Sequence, residues 1–303
     1  METESPTANL IAEANHSSSI VEACPSTAVT RLANLRSPAW LCIKPLLNSD
    51  RHAVLLLAAV FCFLYAYFFQ GGGWNQNSHF DTVRSVVERH AADITPIALN
   101  TGDVAKHNGK VYANKGPALA LVAVPAYFVL YHFERLSGWT AGSIRRTNLN
   151  AHILNFVTSG LPGVVLVLLL YLHFRRSSGT IRESLILAGG FGAGTLVFPY
   201  TGVMMSHVFT ACVLFASWYI ICREVTRRGP VVLAGVLTGA AVVTDVLATP
   251  VALVFLLYVV FKHSRRALLA FAGGAASMAA LFLAYNLVCF GDPWTTNQTL
   301  KTD

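Results

Sequence analysis

The feature that most constrains this chain is a series of long stretches that contain no Asp, Glu, Lys or Arg. These stretches cover residues 52–70, 116–133, 152–174, 184–222, 246–261 and 267–291. Because a helix needs about 20 apolar residues to cross a bilayer, stretches of this length predict transmembrane helices. The composition agrees: 54% of the residues are hydrophobic and only 12% are charged, which excludes an ordinary water-soluble globular protein.

Two of the apolar regions each predict a pair of helices, one because of its length and the other because polar and Pro residues interrupt it. The run 184–222 exceeds one crossing, and the segment 199–207 interrupts it with a predicted turn. The region 229–261 is broken by Asp245 and Pro250 and predicts two short spans. We therefore predict an all-α membrane protein, a polytopic bundle of about eight transmembrane helices.

The two ends of the chain differ from this multi-span domain, which we assign to residues 53–291. Residues 1–52 are rich in Ser, Thr, Ala and Glu and open with Glu2 and Glu4. A secretory signal peptide opens instead with a basic region. We interpret residues 1–52 as a disordered cytoplasmic tail and residues 292–303 as a short C-terminal tail.

The formal net charge of +7 is distributed as an orientation signal rather than as a binding surface. Four short loops between the apolar runs together carry +9, and they are residues 134–150, 175–183, 223–228 and 262–266. This distribution is typical of positive-inside anchoring, whereas a nucleic-acid binder presents one continuous basic face. We predict an integral, multi-pass membrane protein without a nucleic-acid partner, with the polar loop 71–115 on the outer side.

One step in this orientation scheme fails. The loops 134–150 and 175–183 are both basic, yet the single apolar run 152–174 separates them. Either that run turns back at its Gly and Pro residues in segment 160–163, or one basic loop departs from the rule. Both explanations stay open at this point.

The loop 71–115 is the longest internal polar stretch, and long ordered loops often carry function. Apolar residues spaced by three and four predict a helix from about Phe80 to Ala92, capped by Ser78 or His79. A helix with one apolar face is typical of the membrane interface. Further on, Asn108-Gly109 between two short alternating segments predicts a β-hairpin.

Lys115 stands at the junction between this loop and the second predicted span. Pro117 follows two residues later, and Pro is favoured in the first turn of a helix. Lys115 is therefore expected near the positive end of a helix dipole, at headgroup depth. Such a position suits a phosphate, including the phosphate of a lipid.

Residues of this loop, together with residues of two later segments, form an ordered series along the chain. They are Asn75, Asn77, Ser78, Phe80, Asp81, Thr101, Gly102, Asp103, Gly109, Tyr112, Lys115 and Pro117, then Pro199, Tyr200, Ser206 and His207, and finally Asn286, Phe290, Gly291, Asp292 and Pro293. In this order they resemble the bacterial GT-C-type membrane glycosyltransferases of the protein-mannosyltransferase-like group. The resemblance covers most of residues 53–298.

The resemblance implies an enzyme of the bacterial inner membrane that transfers a sugar from a polyprenyl-phosphate donor. The acceptor, a glycan, lipid or protein, would be on the non-cytoplasmic face. Such a transfer needs a carboxylate to take the proton of the acceptor hydroxyl and cations to stabilise the leaving phosphate. By this resemblance Asp81 is the catalytic carboxylate. Asp103 is the second candidate, as general base or as a ligand if a divalent metal takes part.

The same resemblance implies a set of substrate-binding residues. Lys115 and Arg84 are expected to face the phosphate. His207, at the outer end of a span, and Tyr112 are expected to add polar contacts. The sequence implies no other cofactor, and membrane lipid is the remaining partner.

Ordinary structural roles compete with each of these assignments. Asp81 with Arg84 can be a helix-dipole and surface pair, and Asp103 can simply form a turn. Lys115 can snorkel at the membrane boundary. Asp245 is ionisable within an apolar region and would suit a transporter or flippase-like carrier, but it also fits an outer turn.

A third class of function also stays open. His79 stands where the family usually has Arg, and Asn114 stands where it usually has Asp before the lysine. These departures, with the short chain, leave an inactive, truncated membrane scaffold as a further hypothesis.

Overall fold

The computed structural model of this protein describes four stretches of the chain: residues 49–138, 144–177, 179–223 and 228–300. Within them the chain is mostly helical, which confirms the all-α prediction at this coarse level. The first helix begins at Asp50, so the predicted tail 1–52 lies almost entirely outside the described residues.

The helices follow one another through the described chain with one small sheet inserted after the second. They are α1 (Asp50–Tyr67), α2 (Trp74–Arg89), α3 (Ala118–Leu136), α4 (Ile144–Asn155), α5 (Leu161–Arg176), α6 (Ile181–Gly194), α7 (Val197–Thr201), α8 (Ser206–Ile221), α9 (Arg228–Thr244), α10 (Thr249–Lys262) and α11 (Arg265–Phe290). The sheet pairs β1 (Val104–His107) with β2 (Lys110–Ala113).

Among the described residues, four helical segments are long and apolar enough to cross a membrane. They are Asp50–Tyr67, Ala118–Leu136, Arg146–Arg176 and Arg265–Phe290. Three shorter apolar helices cover Ser206–Ile221, Arg228–Thr244 and Val246–Lys262. The fold is therefore compatible with a membrane protein.

The 31-residue segment Arg146–Arg176 joins α4 and α5 without a reversal. A π-helical turn, Phe156–Gly160, connects the two helices, and Pro162 follows at the start of α5. Proline clashes with the carbonyl four residues earlier in a regular helix, and the wider π-helical turn accommodates it. The explanation in which segment 160–163 turns the run back is therefore wrong.

One end of the helical bundle gathers the loops that carry most of the positive charge. We call this the basic end: the starts of α1, α6, α9 and α11 and the last residues of α5, α8 and α10. Its contacts are Arg175 Nε to Asp50 Oδ1 at 2.6 Å, the Arg176 guanidinium over the Tyr219 ring at 5.8 Å, and His263 Nε2 to the Ile221 carbonyl at 2.8 Å. Three of the four predicted basic loops, 175–183, 223–228 and 262–266, flank these residues.

The opposite end carries the long polar loop, and we call it the loop end: residues 67–117, 195–206, 244–249 and 290–300. Its contacts are His152 Nε2 to the Ala66 carbonyl at 2.6 Å, Ser159 Oγ to the Val203 carbonyl at 2.9 Å, and Asn297 Nδ2 to the Lys115 carbonyl at 3.1 Å. The predicted tail 292–303 is thus partly packed against the loop 71–115.

The fourth basic loop, 134–150, does not reach the basic end. Glu134 near the end of α3 lies 2.5 Å from Arg146 Nε, and Asn150 Nδ2 donates to the same carboxylate at 3.3 Å. Both charged side chains are more than nine-tenths buried. Arg146 was expected to anchor a loop in a membrane surface, and it instead neutralises a buried glutamate.

Helices α9 and α11 approach each other through glycine. A Cβ added to Gly235 would lie 2.0 Å from the carbonyl oxygen of Phe271, and one added to Gly274 would lie 2.2 Å from that of Val232. Glycine at such positions lets two backbones touch, as is common between apolar helices.

Substitution by alanine should have opposite effects at a glycine inside this helix contact and at a glycine of α11 outside it. Gly235→Ala should lower the unfolding temperature in detergent, because overpacking against backbone costs about 1–3 kcal/mol. Gly273→Ala is the matched control, since nothing lies within 4 Å of its added Cβ and alanine favours helix by about 1 kcal/mol. Equal unfolding temperatures for the two variants would contradict the contact.

Candidate functional site

The helix expected over Phe80–Ala92 begins earlier and ends earlier than predicted. It starts at Trp74, directly after Gly73, and ends at Arg89 because His90 adopts a left-handed conformation with φ of 55°. Ser78 and His79 are therefore inside the helix, and neither caps it. The non-helical segment before the helix is therefore shorter than the spacing of the apolar residues indicated, and it ends at Gly73.

Helix α2 is buried on two sides rather than one. Its apolar residues Phe80, Val83 and Val87 pack on α3. Its polar side is covered by the segment that precedes the hairpin, through Asn77 Nδ2 to the Asn100 carbonyl and Thr101 Oγ1 to the Trp74 carbonyl, both at 2.7 Å. The periodicity predicted a helix with one apolar face at the membrane interface, and it could not show the segment that covers the polar side.

Asp81 is the most unusual side chain of α2. It is 0% exposed, and within the described part of the chain no hydrogen bond reaches either carboxylate oxygen. The nearest cation is Arg84, whose Nη1 lies 3.7 Å from Oδ1. Burial raises the pKa of Asp81 to about 6, although Arg84 and the side chain of Asn100 oppose the shift. The alternative of an exposed surface pair is therefore wrong: Asp81 is a buried carboxylate with Arg84 as its nearest cation.

Arg84 is shared between two carboxylates. Its Nε lies 3.3 Å from Oε1 of Glu88, which also accepts a hydrogen bond of 2.5 Å from the Tyr127 hydroxyl of α3. Because Arg84 also interacts with Glu88, its ion pair with Asp81 is only partial. No sequence signal identified this network, because Tyr127 lies 39 residues beyond Glu88.

The predicted hairpin is confirmed. Strands β1 and β2 are antiparallel, with Asn108 and Gly109 at the turn at φ of 48° and 74°. Asp103 immediately precedes β1 and Lys115 closely follows β2, so strand pairing brings the two side chains together. Lys115 Nζ lies 3.2 Å from Asp103 Oδ2, with side-chain exposures of 34% and 15%.

Lys115 also acts on the buried residues of α2. Burial of His79, with a smaller contribution from the Lys115 charge, lowers the pKa of this imidazole to about 4. His79 is therefore neutral at pH 7. The structure thus brings Asp103 and Lys115 together and places the charge of Lys115 within reach of His79 in α2.

His207 and Asp245 form a second polar group at the loop end. Their Nδ1 and Oδ2 atoms are 3.6 Å apart, and the His207 ring meets the Tyr200 ring edge-on at 5.0 Å. Asp245 also caps a 3₁₀ turn by accepting from the Leu247 amide at 3.1 Å. Asp245 is thus in a turn at the end of α9, and its pairing with His207 could not be anticipated from sequence separation.

Tyr112 holds the hairpin against α11. Its side chain is 4% exposed, its hydroxyl donates to the Cys289 carbonyl at 3.1 Å, and its ring contacts Phe290. The hydroxyl expected to bind substrate is therefore engaged in a structural hydrogen bond.

An apolar groove opens next to Lys115. It has a volume of about 200 Å³ and lies between the first turns of α3 and helices α8, α9 and α11, lined among others by Pro117, Leu121, Phe209, Val243 and Tyr285. Gly116 closes it against α9, since an added Cβ would lie 2.7 Å from the Val243 carbonyl oxygen. Lys115 precedes by two residues Pro117, which lines this groove.

The described residues contain no group of three or more His, Cys, Asp or Glu side chains that could hold a metal ion. Asp103 has Lys115, not another carboxylate, as its ionic neighbour. The arrangement offers a partly exposed cation, Lys115, and a partly exposed carboxylate, Asp103, while Asp81 is buried.

Comparison with known proteins adds no relative to this description. No protein-family model matches the chain, and no curated protein and no solved structure is significantly similar to it.

The environment of Asp81 predicts how folding stability depends on pH. Because its native pKa is raised above the ordinary 3.8, the native state favours the protonated form, and stability falls as the pH rises from about 4 to about 6 and levels off above that. At pH 7.5 the cost is up to about 3 kcal/mol. Asp81→Asn should therefore unfold at a higher temperature than the wild type at pH 7.5, with a smaller difference at pH 5.

Asp93→Asn is the matched control for this measurement. Although partial burial opposes it, hydrogen bonds from Thr95 and the charge of Arg89 hold the pKa of Asp93 below its usual value. This variant should lose stability at pH 7.5, the opposite sign. A pH-independent difference between Asp81→Asn and the wild type would refute the account of Asp81.

Proposed function

We propose that this protein is an integral membrane glycosyltransferase that moves a sugar from a polyprenyl-phosphate donor to an acceptor. The observation that carries the proposal is the ion pair of Lys115 and Asp103, two residues before the groove-lining Pro117, together with the buried carboxylate of Asp81 in α2. A lipid-linked phosphate needs a cation at headgroup level and an apolar channel for its chain. The resemblance to GT-C-type enzymes supports the same function.

The proposed chemistry assigns different roles to the charged groups. Lys115 binds and stabilises the leaving phosphate, as a fixed cation does in a water-poor site. A carboxylate accepts the proton of the attacking hydroxyl, and a pKa of about 6 suits Asp81 for this step at neutral pH. Asp103 is the better exposed carboxylate in this conformation, so substrate reaches Asp81 only if the covering segment around Asn100 shifts.

Arg84 and His207 have supporting roles in this proposal. Arg84 controls the charge of Asp81 through its sharing with Glu88. His207, 53% exposed in its side chain and oriented by Asp245, offers its other ring nitrogen to an acceptor or sugar hydroxyl. Tyr112 supports the site by holding the hairpin in place.

The proposed setting is the bacterial inner membrane, with the basic end in the cytoplasm. The three basic loops at that end follow the positive-inside rule. The site at the loop end then faces the non-cytoplasmic side, where a glycan, lipid or protein acceptor is available.

A carrier function receives less support from the same residues. Transporters place ionisable groups near the bilayer midplane. Asp245 caps a turn at the loop end instead, and its partner His207 begins α8.

The direct test is transfer of labelled sugar by the purified full-length protein in nanodiscs, using a panel of polyprenyl-phosphate sugars and cell-envelope glycans as acceptor. Lys115→Ala should lower the rate by about 10²–10³-fold. Removal of the catalytic carboxylate, by Asp81→Asn or Asp103→Asn, should lower it by about 10²–10⁴-fold. Lys110→Ala, on the exposed face of the same hairpin, should transfer at the wild-type rate.

The rates of the two asparagine variants distinguish between Asp81 and Asp103 as the catalytic base. A large loss in Asp81→Asn alone assigns the base to Asp81, and a large loss in Asp103→Asn alone assigns it to Asp103. The proposal fails if folded wild-type protein neither binds nor uses any of these donors, and the inactive scaffold then becomes the better description.

A further inference from the structure

Two arginines at the basic end lie over the same tyrosine ring. The guanidinium carbon of Arg176 is 5.8 Å from the centre of the Tyr219 ring, and that of Arg223 is 4.7 Å from it. Arg176 ends α5, Arg223 follows the end of α8, and these two helices pack against each other. Nearby, the His173 and Phe215 rings meet edge-on at 5.8 Å. We call these five residues the α5–α8 seam.

The neighbouring Arg175 has a different environment from the two arginines of the seam. Its Nε and Nη2 lie 2.6 Å and 3.2 Å from the two carboxylate oxygens of Asp50. In the four described stretches of the chain, no carboxylate lies within ion-pair distance of Arg176 or Arg223. The charge of Arg175 is therefore neutralised inside the protein, whereas the charges of the seam are not.

The sequence around the seam has fewer carboxylates than arginines. Segment 175–183 contains three arginines and one glutamate, Glu183. This glutamate accepts a hydrogen bond of 2.7 Å from the Thr180 amide at the start of α6. Segment 223–228 also contains three arginines and one glutamate. Positive charge is therefore left for an anion from outside the chain.

The Tyr219 ring gives both guanidinium groups a defined place. A cation within about 6 Å of an aromatic ring centre is attracted by the negative face of the ring. The ring does not use the N–H donors of the guanidinium as a carboxylate would. Both Arg176 and Arg223 are exposed, so these donors are available. A guanidinium presents them as a planar fork, which matches the oxygens of a phosphate.

An exposed apolar face of α5 leads to Arg176. Leu161, Val165, Leu172 and Arg176 are spaced by four, seven and four residues, so they share one face of the helix. The three apolar side chains are from 38% to 44% exposed. An apolar face that ends in a cation has the polarity of a phospholipid, with its acyl chain on the apolar part and its phosphate at the cation.

We propose that the α5–α8 seam binds an anionic phospholipid of the leaflet at the basic end. Arg176 and Arg223, positioned on the Tyr219 ring, hold its phosphate, and an acyl chain lies along the exposed face of α5. A zwitterionic phospholipid fits less well, because its own ammonium group already balances its phosphate. Basic sites between helices at the cytoplasmic surface bind anionic headgroups in this way.

The proposed lipid site and the proposed sugar transfer can fail independently. The lipid site uses no residue of the loop end and depends only on the proposed membrane setting, with the basic end at a bilayer surface. A protein that transfers no sugar can therefore still show the lipid selectivity described next.

Native mass spectrometry of the purified full chain in detergent tests the site. The probes are dioleoyl phosphatidylglycerol and dioleoyl phosphatidylcholine, which have identical acyl chains and differ in net charge. We expect the wild type to prefer phosphatidylglycerol. Arg176→Gln and Arg223→Gln should each lower the affinity for this lipid about 5-fold, since a basic residue near an anionic lipid surface contributes about 1 kcal/mol. Their affinity for phosphatidylcholine should not change.

Arg266→Gln is the matched control for charge. Arg266 is an exposed arginine in the first turn of α11 at the same end of the bundle. This variant should bind phosphatidylglycerol as the wild type does. An equal loss in Arg266→Gln would indicate general attraction between a basic surface and an anionic lipid, and it overturns the proposal. Equal wild-type affinities for the two lipids overturn it as well.

Inorganic phosphate serves as a probe that carries the charge without an acyl chain. At equal concentration it should not displace phosphatidylglycerol from the wild type. Displacement would assign the seam to a free anion and contradict the lipid site.

Substitution of Tyr219 tests the role of the ring. Tyr219→Phe keeps the ring and should retain the preference for phosphatidylglycerol, whereas Tyr219→Leu should reduce it. Unfolding temperatures in detergent check that both variants are folded. If Tyr219→Leu fails to fold, the double variant Arg176→Gln/Arg223→Gln decides, and wild-type selectivity in that variant refutes the site.

Discussion

The need to satisfy backbone hydrogen bonds inside an apolar environment is the constraint on which the structure depends. In lipid, only segments that pair their own N–H and C=O groups are stable, so the apolar stretches become helices and the irregular chain collects at their ends. The loop end is the larger of these collections, with the hairpin, the 3₁₀ turn after α9 and the segment after α11 in contact with one another. Charged groups of both signs meet there in ion pairs such as Lys115 with Asp103, which makes it a candidate place for a polar site.

Within the loop end, the site depends on two layers of packing. Helix α2 rests on α3, and the segment from Asp93 to Asp103 rests on α2. This arrangement encloses Asp81, raises the pKa of its carboxyl group and leaves the charge of Arg84 divided between Asp81 and Glu88. The hairpin then pairs Lys115 with Asp103, and the groove-lining Pro117 follows two residues after Lys115. Burial and electrostatics therefore come from different elements, and the site exists only where those elements meet.

Local signals in the sequence were reliable where a few adjacent residues decide the backbone. The Asn108-Gly109 turn predicted the hairpin, because both residues accept positive φ, and the hairpin in turn explains the proximity of Asp103 and Lys115. The turn expected at Asp245 is also present. Periodicity misplaced the limits of α2, which starts directly after Gly73 and stops at the left-handed residue at position 90, and it could not show that the following segment covers the polar face. Tyr112 was expected to contact substrate, but the backbone of Cys289, far along the chain, takes its hydroxyl.

The sequence by itself determined that this chain is mostly helical and apolar, that its polar chemistry is concentrated in residues 71–115, and where its hairpin turns. These properties depend on hydropathy and local backbone preference, which each segment carries with it. The tertiary structure decided that Arg146 neutralises Glu134, and that Asp81 is buried while His207 meets Asp245. Such outcomes depend on which neighbour each helix packs against, and the hydropathy of a helix does not specify its neighbour.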